Sequence, residues 1–264
     1  SIGMIVKNES EKLEATLQAL QPLRDKIRCQ LIIADTGSED NTLEIAEKYG
    51  DDVFTIPWEN SFGKARNATL AKAKGKWFFF LDADEVLTDS EELVQFFRNP
   101  KNQRYHTVKI KIRNMTSYQR EIWQDSWSSR IFRIRSDARF QNDIHEFYPT
   151  QEPIFTLNKT FLLHSGYNND DTEFMNAKME RNVQIIEASL KEDINDWQRI
   201  KLLIEYGDSM SLTDDPDGVG YEKVRQAIDI LQTLPADDER RVYLTGRAYS
   251  LAIRMRYNQG QQED

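Results

Sequence analysis

The sequence has almost no cysteine, since Cys29 is the single one among 264 residues. One cysteine cannot form a disulfide within the chain, and it excludes a zinc site built on several thiolates. A chain without internal disulfides is typical of a reducing compartment. We therefore expect a cytoplasmic protein.

Long apolar runs and an excess of positive charge are also missing. No stretch of about twenty apolar residues, the length that a transmembrane helix needs, is present. The chain carries 35 Lys and Arg against 44 Asp and Glu, for a net charge of −9. Its basic residues are dispersed among carboxylates, which argues against nucleic acid as a partner. Peripheral association with the inner face of a membrane stays open.

The first third of the chain alternates short apolar runs with helical spacing. Strands are predicted at residues 2–6, 31–34, 53–56 and 77–81. Between the last two, a loop at 58–63 is expected to lead into a helix at 65–74 that stops at Gly75. Such alternation indicates an α/β fold with a mostly parallel sheet, in which ligands bind beyond the carboxyl ends of the strands. Asp35 and Asp82 both lie at such ends.

The remainder divides into a strand-rich part and a helical part. A helix is predicted near 90–97, antiparallel strands at 107–114 and 129–135, a strand at 160–164 and a polar loop at 166–172. Four helices follow, near 173–191, 196–211, 219–232 and 237–257. They form two hairpins of about tetratricopeptide size, with an ordinary helical cap as the alternative. The predicted domains are 1–172 and 173–264.

The acidic triplet Asp82-Ala83-Asp84 follows the apolar strand directly. Two carboxylates this close repel each other and require a cation or strong hydrogen-bond donors. Mg²⁺ or Mn²⁺ bridging a diphosphate would meet that need with one or two protein carboxylates. A solvated turn near a helix start is the alternative for Asp-x-Asp taken alone.

Seven short sequence blocks favour the metal site over the solvated turn. They are Met4-Ile5-Val6-Lys7-Asn8-Glu9, the ten residues 33–42 (IADTGSEDNT), Ala65-Arg66-Asn67, Leu81-Asp82-Ala83-Asp84, Arg130-Ile131-Phe132-Arg133, Ile144-His145-Glu146 and His164-Ser165-Gly166-Tyr167. In this order and context the stretch from residue 1 to 167 resembles the family 2 glycosyltransferases, which have the GT-A nucleotide-sugar-binding fold. No single block is specific, but their conjunction is.

The resemblance implies roles at the donor site. Asp35 would contact the nucleotide base or ribose, Asp82 the ribose, and Asp84 the metal ion. Arg66 would lie near the nucleotide and offer donors to its oxygens, with a surface ion pair as the alternative. Many family members carry a second acidic residue where this chain has Thr36. The identity of the nucleotide base is therefore implied less firmly than its contact with Asp35.

Three further residues are expected at the donor site. Val6 and Glu9 stand at the end of the first strand, and Ala83 lies between the two aspartates. Capping of the following helix is an equal alternative for Glu9.

An inverting transfer also needs a base on the face opposite the leaving diphosphate. Glu146 is the preferred candidate because it belongs to a matching block, while Asp143 and Asp125 remain competitors. His145 and His164 are candidate metal ligands, as imidazoles can be in GT-A enzymes. For each of them a buried, hydrogen-bonded histidine is the alternative.

The function predicted from these residues is a metal-dependent inverting transfer of a hexose or N-acetylhexosamine from a UDP-sugar. The acceptor is expected to be a saccharide of cell-surface glycan synthesis. A peptide acceptor, O- or S-linked, and a degenerate nucleotide-sugar-binding interaction module are the alternatives. Trp123 and Trp127 could stack on a sugar, although ordinary packing is favoured for both.

Overall fold

The computed structural model describes residues 1–117, 119, 121–165, 171–212, 215 and 217–258. The chain divides into two compact units, Ser1–Asp170 and Asp171–Asp264, which are described separately below. Most of the polar loop predicted at 166–172 lies outside the described residues, since 166–170 are among those left out.

The first unit is built on one mixed sheet. Its strands are β1 (Ile2–Val6), β2 (Leu31–Asp35), β3 (Asp52–Thr55), β4 (Trp77–Asp82), β5 (Glu85–Leu87), β6 (Thr107–Ser117), β7 (Ile122–Arg133) and β8 (Ile154–His164), in the order β3-β2-β1-β4-β7-β6-β8-β5. The helices are α1 (Leu13–Lys26), α2 (Thr42–Tyr49), α3 (Phe62–Ala71) and α4 (Glu91–Arg98). The parallel pairing of β1 with β2 and β4, and of β2 with β3, confirms the predicted parallel core.

Strand β4 separates two apolar clusters because successive side chains of a strand point to opposite faces. Phe79 and Leu81 belong to the large cluster that buries Leu13, Leu17 and other residues of α1. Phe78 and Phe80 join a smaller aromatic cluster on the other face. The aromatic run of β4 is thus core, and Asp82 continues on the face of Phe80.

Helix α3 begins three residues before its predicted start. Ser61 is its N-cap and accepts a hydrogen bond from the Lys64 amide at 3.1 Å. Gly63, expected in a loop, lies in the first turn, where a Cβ atom would come 2.2 Å from the carbonyl oxygen of Asn142. The glycine is therefore explained by a close approach of α3 to the segment after β7. The helix ends at Ala71, short of Gly75.

The short strand β5 was not predicted. It pairs antiparallel with β8, with Glu85 opposite His164. Asp82 closes β4 in the middle of the sheet, and only three residues later Glu85 opens β5 at its edge. The sheet therefore curls until its edge strand meets the carboxyl end of β4, and the triplet 82–84 lies at that seam.

The second unit consists of helices α5 (Thr172–Leu190), α6 (Asp196–Met210), α7 (Val219–Thr233) and α8 (Glu239–Asn258). All four follow the predicted ranges closely. Their shared core includes Ile200, Val224 and Leu251. No described helix is long and apolar enough to cross a membrane.

Candidate functional site

Asp35 ends β2 and is 2% exposed. One of its oxygens, Oδ1, accepts hydrogen bonds from the amides of Gly37 (2.8 Å) and Ser38 (2.9 Å). Gly37 has a φ of 101°, a conformation that favours glycine. The other oxygen, Oδ2, is buried and has no hydrogen-bond partner among the described residues. A buried carboxylate oxygen is costly to leave unpaired, so this atom is suited to a donor group of a ligand.

The loops that follow β1 and β2 are tied to each other. Asn8, at a φ of 53°, donates its amide to Ser38 Oγ (2.9 Å) and accepts from the Glu39 amide (2.8 Å). The Glu9 amide donates to Thr42 Oγ1 at 2.7 Å, and the Glu9 carbonyl accepts from the Leu13 amide at the start of α1. The backbone of Glu9 thus contacts both the first residue of α1 and the first residue of α2.

Thr36 stands where many family members have a second acidic residue. Its amide and its hydroxyl both donate to the carbonyl of Val6, at 3.0 and 3.1 Å. Val6 is buried, and its carbonyl is used within the protein. The threonine therefore joins β1 to β2 at the edge where a second carboxylate would otherwise stand.

Asp82 lies between two arginines. Arg66 Nη2 is 2.5 Å from one carboxylate oxygen, and Arg130 Nη2 is 3.5 Å from the other. Burial alone would raise the pKa of Asp82, but the two guanidinium groups outweigh it and hold the pKa well below its usual range. The repulsion expected between Asp82 and Asp84 is therefore relieved on the Asp82 side by arginine.

The two guanidinium groups are held on one aromatic ring. The Cζ atoms of Arg66 and Arg130 lie 4.8 and 4.7 Å from the centroid of Phe80. Arg66 Nε also bonds to Glu146. Arg66 Nη1 and Arg130 Nε are buried and have no hydrogen-bond partner among the described residues. These donors are suited to an anionic ligand.

Arg130 and Glu85 are site residues that the sequence reasoning missed. Glu85 is fully buried, bonds to Arg130 and accepts from the Asp82 amide at 3.0 Å. Burial raises the pKa of Glu85 to about 7, against the opposing charge of Arg130. Arg130 stood in a matching block and Glu85 directly follows Asp84, so both signals were present but neither had been given a role.

Asp84 and His164 form the candidate metal pair. His164 Nε2 lies 3.4 Å from Asp84 Oδ2, a separation that suits two ligands of one ion, and both side chains are largely buried. Among the described residues no group of three or more His, Cys, Asp or Glu side chains is arranged to hold a metal. The expected third ligand His145 is exposed at a φ of 50° and does not complete such a group.

The candidate bases occupy different places. Glu146 is held by Arg66, with 11% of its side chain exposed. The Asp143 carbonyl accepts from the Phe62 amide at 2.7 Å, which fixes the same segment against α3. Asp125 is paired with Arg113 at 2.8 Å on an exposed part of β7, and that pairing lowers its pKa to about 2. Asp125 is thus already engaged by the guanidinium of Arg113.

Three other expectations concern backbone and packing. Ala83 is buried, and its carbonyl accepts from Thr16 Oγ1 at 2.7 Å, so this carbonyl anchors the acidic turn to α1. Trp123 and Trp127 are 44% and 51% exposed. The favoured expectation of ordinary packing is therefore wrong for both tryptophans.

Comparison with known proteins assigns the first unit. Residues 1–155 match the family described as glycosyl transferase family 2. A TPR repeat-containing protein of Synechococcus elongatus is 30% identical over 225 residues, which cover 79% of this chain and 53% of that relative. The SPbeta prophage-derived glycosyltransferase SunS of Bacillus subtilis is 25% identical over 228 residues, 84% of this chain and 51% of the relative. The chain thus spans about half the length of these two relatives.

Among solved structures, TarS 1–349 of S. aureus in complex with UDP-GlcNAc covers the whole chain. It aligns with a TM-score of 0.54 and 16% sequence identity, and 92% of the TarS chain is covered. At this identity the similarity concerns the fold.

Proposed function

The chain belongs to glycosyl transferase family 2, and we propose that it transfers a hexose or N-acetylhexosamine from a UDP-sugar to an acceptor hydroxyl with inversion. Its first unit has the GT-A fold, as the similarity to TarS shows. The observation that carries the proposal is Asp35 Oδ2 at the carboxyl end of the parallel strands, a buried oxygen to which no described residue donates a hydrogen bond. Ligands of such sheets bind at this edge.

The Asp35 oxygen fits a nucleoside. The imide N–H of uracil and the hydroxyls of ribose are donors, whereas an anion would be repelled by a carboxylate. The amides of Gly37 and Ser38 fix Oδ1 and hence the plane of the group. Asp35 is therefore positioned to select a hydrogen-bond donor without first being reoriented. The UDP-GlcNAc complex of TarS, which has the same fold, agrees with a UDP-sugar donor.

The arginine cluster fits the charged part of the donor. Arg66 and Arg130 are anchored by Asp82, Glu85 and Glu146, and each retains a buried nitrogen that has no hydrogen-bond partner in the described part of the chain. A guanidinium that is already held in place stabilises a developing negative charge without reorganisation. We assign these two residues to orienting the donor diphosphate and Asp82 to the ribose side.

Asp84 and His164 would hold the divalent cation, Mn²⁺ or Mg²⁺. The donor set fits because a diphosphate supplies oxygen ligands, so that few protein side chains are needed. When bound, the cation would neutralise charge on the leaving diphosphate. Asp84 and His164 would hold it, and the Ala83 carbonyl anchors the turn that carries Asp84 to α1.

Glu146 is the proposed base, with Asp143 as the alternative on the same segment. A saccharide is the proposed acceptor, and a peptide side chain is the alternative. A screen of both classes of acceptor would distinguish them. Both acceptors offer a nucleophile whose proton a carboxylate can take as the new bond forms.

Isothermal titration of UDP with and without Mn²⁺ tests the donor site. Asp35→Asn replaces one carboxylate oxygen by an NH₂ group and should weaken UDP binding by about tenfold or more, since a charge-assisted hydrogen bond contributes roughly 1.5–3 kcal/mol. Asp84→Asn should abolish the dependence on Mn²⁺ while leaving part of the binding. Asp137→Asn, at an exposed pair with Arg135, is the matched control and should bind as the unaltered chain does.

Two results would contradict the proposal. One is a failure of UDP to bind the unaltered chain even with Mn²⁺. The other is metal-dependent binding that persists unchanged in Asp84→Asn.

A further inference from the structure

A row of residues crosses four strands at the cation side of the site. Gln124 of β7 is opposite Asn114 of β6, which is also opposite His164 of β8. His164 is in turn opposite Glu85 of β5, the residue after Asp84. Because β6 lies between β7 and β8, Asn114 can contact both neighbours with one side chain. Nothing in its local sequence marks Asn114 as part of a site.

The orientation of the Asn114 amide follows from its partners. Asn114 Nδ2 lies 3.1 Å from the carbonyl oxygen of Gln124, and 3.5 Å from Ser126 Oγ. A backbone carbonyl only accepts hydrogen bonds, so the NH₂ group must face β7. The amide oxygen then faces β8, where it lies 2.7 Å from His164 Nδ1.

That oxygen fixes the tautomer of the histidine. An amide oxygen accepts only, so His164 Nδ1 must carry the hydrogen. In neutral imidazole the lone pair is then on Nε2, the atom that lies 3.4 Å from Asp84 Oδ2. A separation of 3.4 Å between Nε2 and Oδ2 is one that two ligands of the same cation can have.

We propose that Asn114 is a positioning residue that presents His164 Nε2 as a nitrogen ligand beside Asp84. This rests on the proposed function, and it adds the group that orients the ligand. Hydrogen bonds of this kind to the second ring nitrogen are widespread around metal-binding histidines and raise their affinity. Because imidazole suits transition metals and Mg²⁺ prefers oxygen, the arrangement favours Mn²⁺ over Mg²⁺.

Mn²⁺ binding in the presence of UDP, followed by the electron paramagnetic resonance of free Mn²⁺, tests the proposal. Asn114→Leu removes the acceptor and should weaken Mn²⁺ binding by about 10–100-fold, with a smaller effect on Mg²⁺ measured by competition. Asn114→Asp keeps an oxygen that can accept from Nδ1–H. Its Mn²⁺ affinity should stay within about threefold of that of the unaltered chain, a much smaller change than the loss expected for Asn114→Leu. Arg113→Leu is the control on the same strand, since its side chain points to the opposite face and pairs with Asp125.

A second measurement needs no metal. Long-range ¹⁵N–¹H correlation spectra of the three histidines should show neutral His164 protonated at Nδ1 in the unaltered chain and in Asn114→Asp, but a mixture of tautomers in Asn114→Leu. Thermal unfolding of each variant checks that the fold is retained.

The outcomes distinguish the role of Asn114 from the proposed function. Equal Mn²⁺ affinity in the unaltered chain and Asn114→Leu, or a His164 protonated at Nε2, would overturn the role of Asn114 alone. An unaltered chain that binds UDP but no Mn²⁺ would overturn it together with the metal part of the proposed function.

Discussion

At the scale of residues, the site is organised around the guanidinium of Arg66. It contacts Asp82 through Nη2 and Glu146 through Nε, so two carboxylates from distant parts of the chain share one cation. A general base must stand within hydrogen-bond reach of the proton that it removes. The contact with Arg66 holds Glu146 in one place, which suits that requirement.

Glu146→Gln should separate binding from chemistry. The Gln side chain keeps an oxygen for Arg66 Nε, so UDP binding and the melting temperature should stay close to those of the unaltered chain. The transfer rate should fall by about 10²–10⁴-fold because the amide cannot take a proton. Single-turnover transfer to the acceptor, measured beside UDP titration, checks this.

Asp143→Asn is the matched variant on the same segment and should keep most of the transfer rate. The reverse pattern, with Glu146→Gln fully active and Asp143→Asn inactive, would move the role of base to Asp143.

The residue scale also shows what the sequence could and could not predict. Asp35, Arg66, Asp82 and Asp84 could be chosen because strand ends and matching blocks are local features of the sequence. Asn114 could not, because its role depends on β6 lying between two strands that join it only in the folded sheet.

At the scale of elements, α3 and the segment after β7 must approach closely. Phe62 and Gly63 open the helix, and the Phe62 amide donates to the Asp143 carbonyl at 2.7 Å. The same segment carries Glu146 to Arg66 on α3. The contact between these two elements therefore determines whether the proposed base reaches the site.

Gly63→Ala should disturb this contact. A Cβ atom 2.2 Å from the Asn142 carbonyl oxygen forces the segment away and should cost about 1–3 kcal/mol in the free energy of unfolding. Transfer should fall with it, since Glu146 moves. Denaturant unfolding and transfer assays measure both effects.

Gly246→Ala on α8 is the control for that substitution. No atom of the described residues lies within 4 Å of the added Cβ atom, and Ala favours helix over Gly by about 0.5–1 kcal/mol. This variant should be slightly more stable than the unaltered chain. A Gly63→Ala variant of unchanged stability would contradict the close approach.

The helices and strands differ in how well the periodicity of their own sequence predicts them. The strands β1 to β4 and the helices α5 to α8 have strong periodicity and were predicted within a few residues. Strand β5 has only three residues, too few for any period, and its partner β8 is far along the chain. The start of α3 was missed because Gly63 favours a loop, and the hydrogen bond by which Ser61 caps the helix is visible only in the structure.

At the scale of the whole molecule, each unit has a core of its own, and the second unit contains a partly buried acid. Burial raises the pKa of Glu205 on α6 to about 7, although Arg247 and Lys201 act against the shift. The folded state therefore holds a proton on Glu205 between its ordinary pKa, near 4.5, and 7. In that range the folded state binds more protons than the unfolded chain.

The stability of the second unit should accordingly fall as the pH rises from 5 to 8. The contribution of Glu205 is fully present below pH 4.5 and is lost as the pH passes 7, up to about 3 kcal/mol at about 1.4 kcal/mol for each pKa unit. Glu205→Gln should flatten this dependence in denaturant titrations at several pH values. Glu222→Gln, exposed on α7, should leave it unchanged, and an equally steep curve for Glu205→Gln would contradict the assignment.

The seam at residues 82–84 also sets an order of events during synthesis. Glu85 leaves the ribosome early, but its strand partner His164 follows roughly 80 residues later, about 4–16 s at ordinary elongation rates of about 5–20 residues per second. Asn114 and Arg130 are made before His164, so His164 is the last of these partners to reach the acidic turn. The proposed donor-binding edge is thus among the last parts of the first unit to assemble, and a ribosome paused before β8 would present the parallel core without His164, the proposed partner of Asp84.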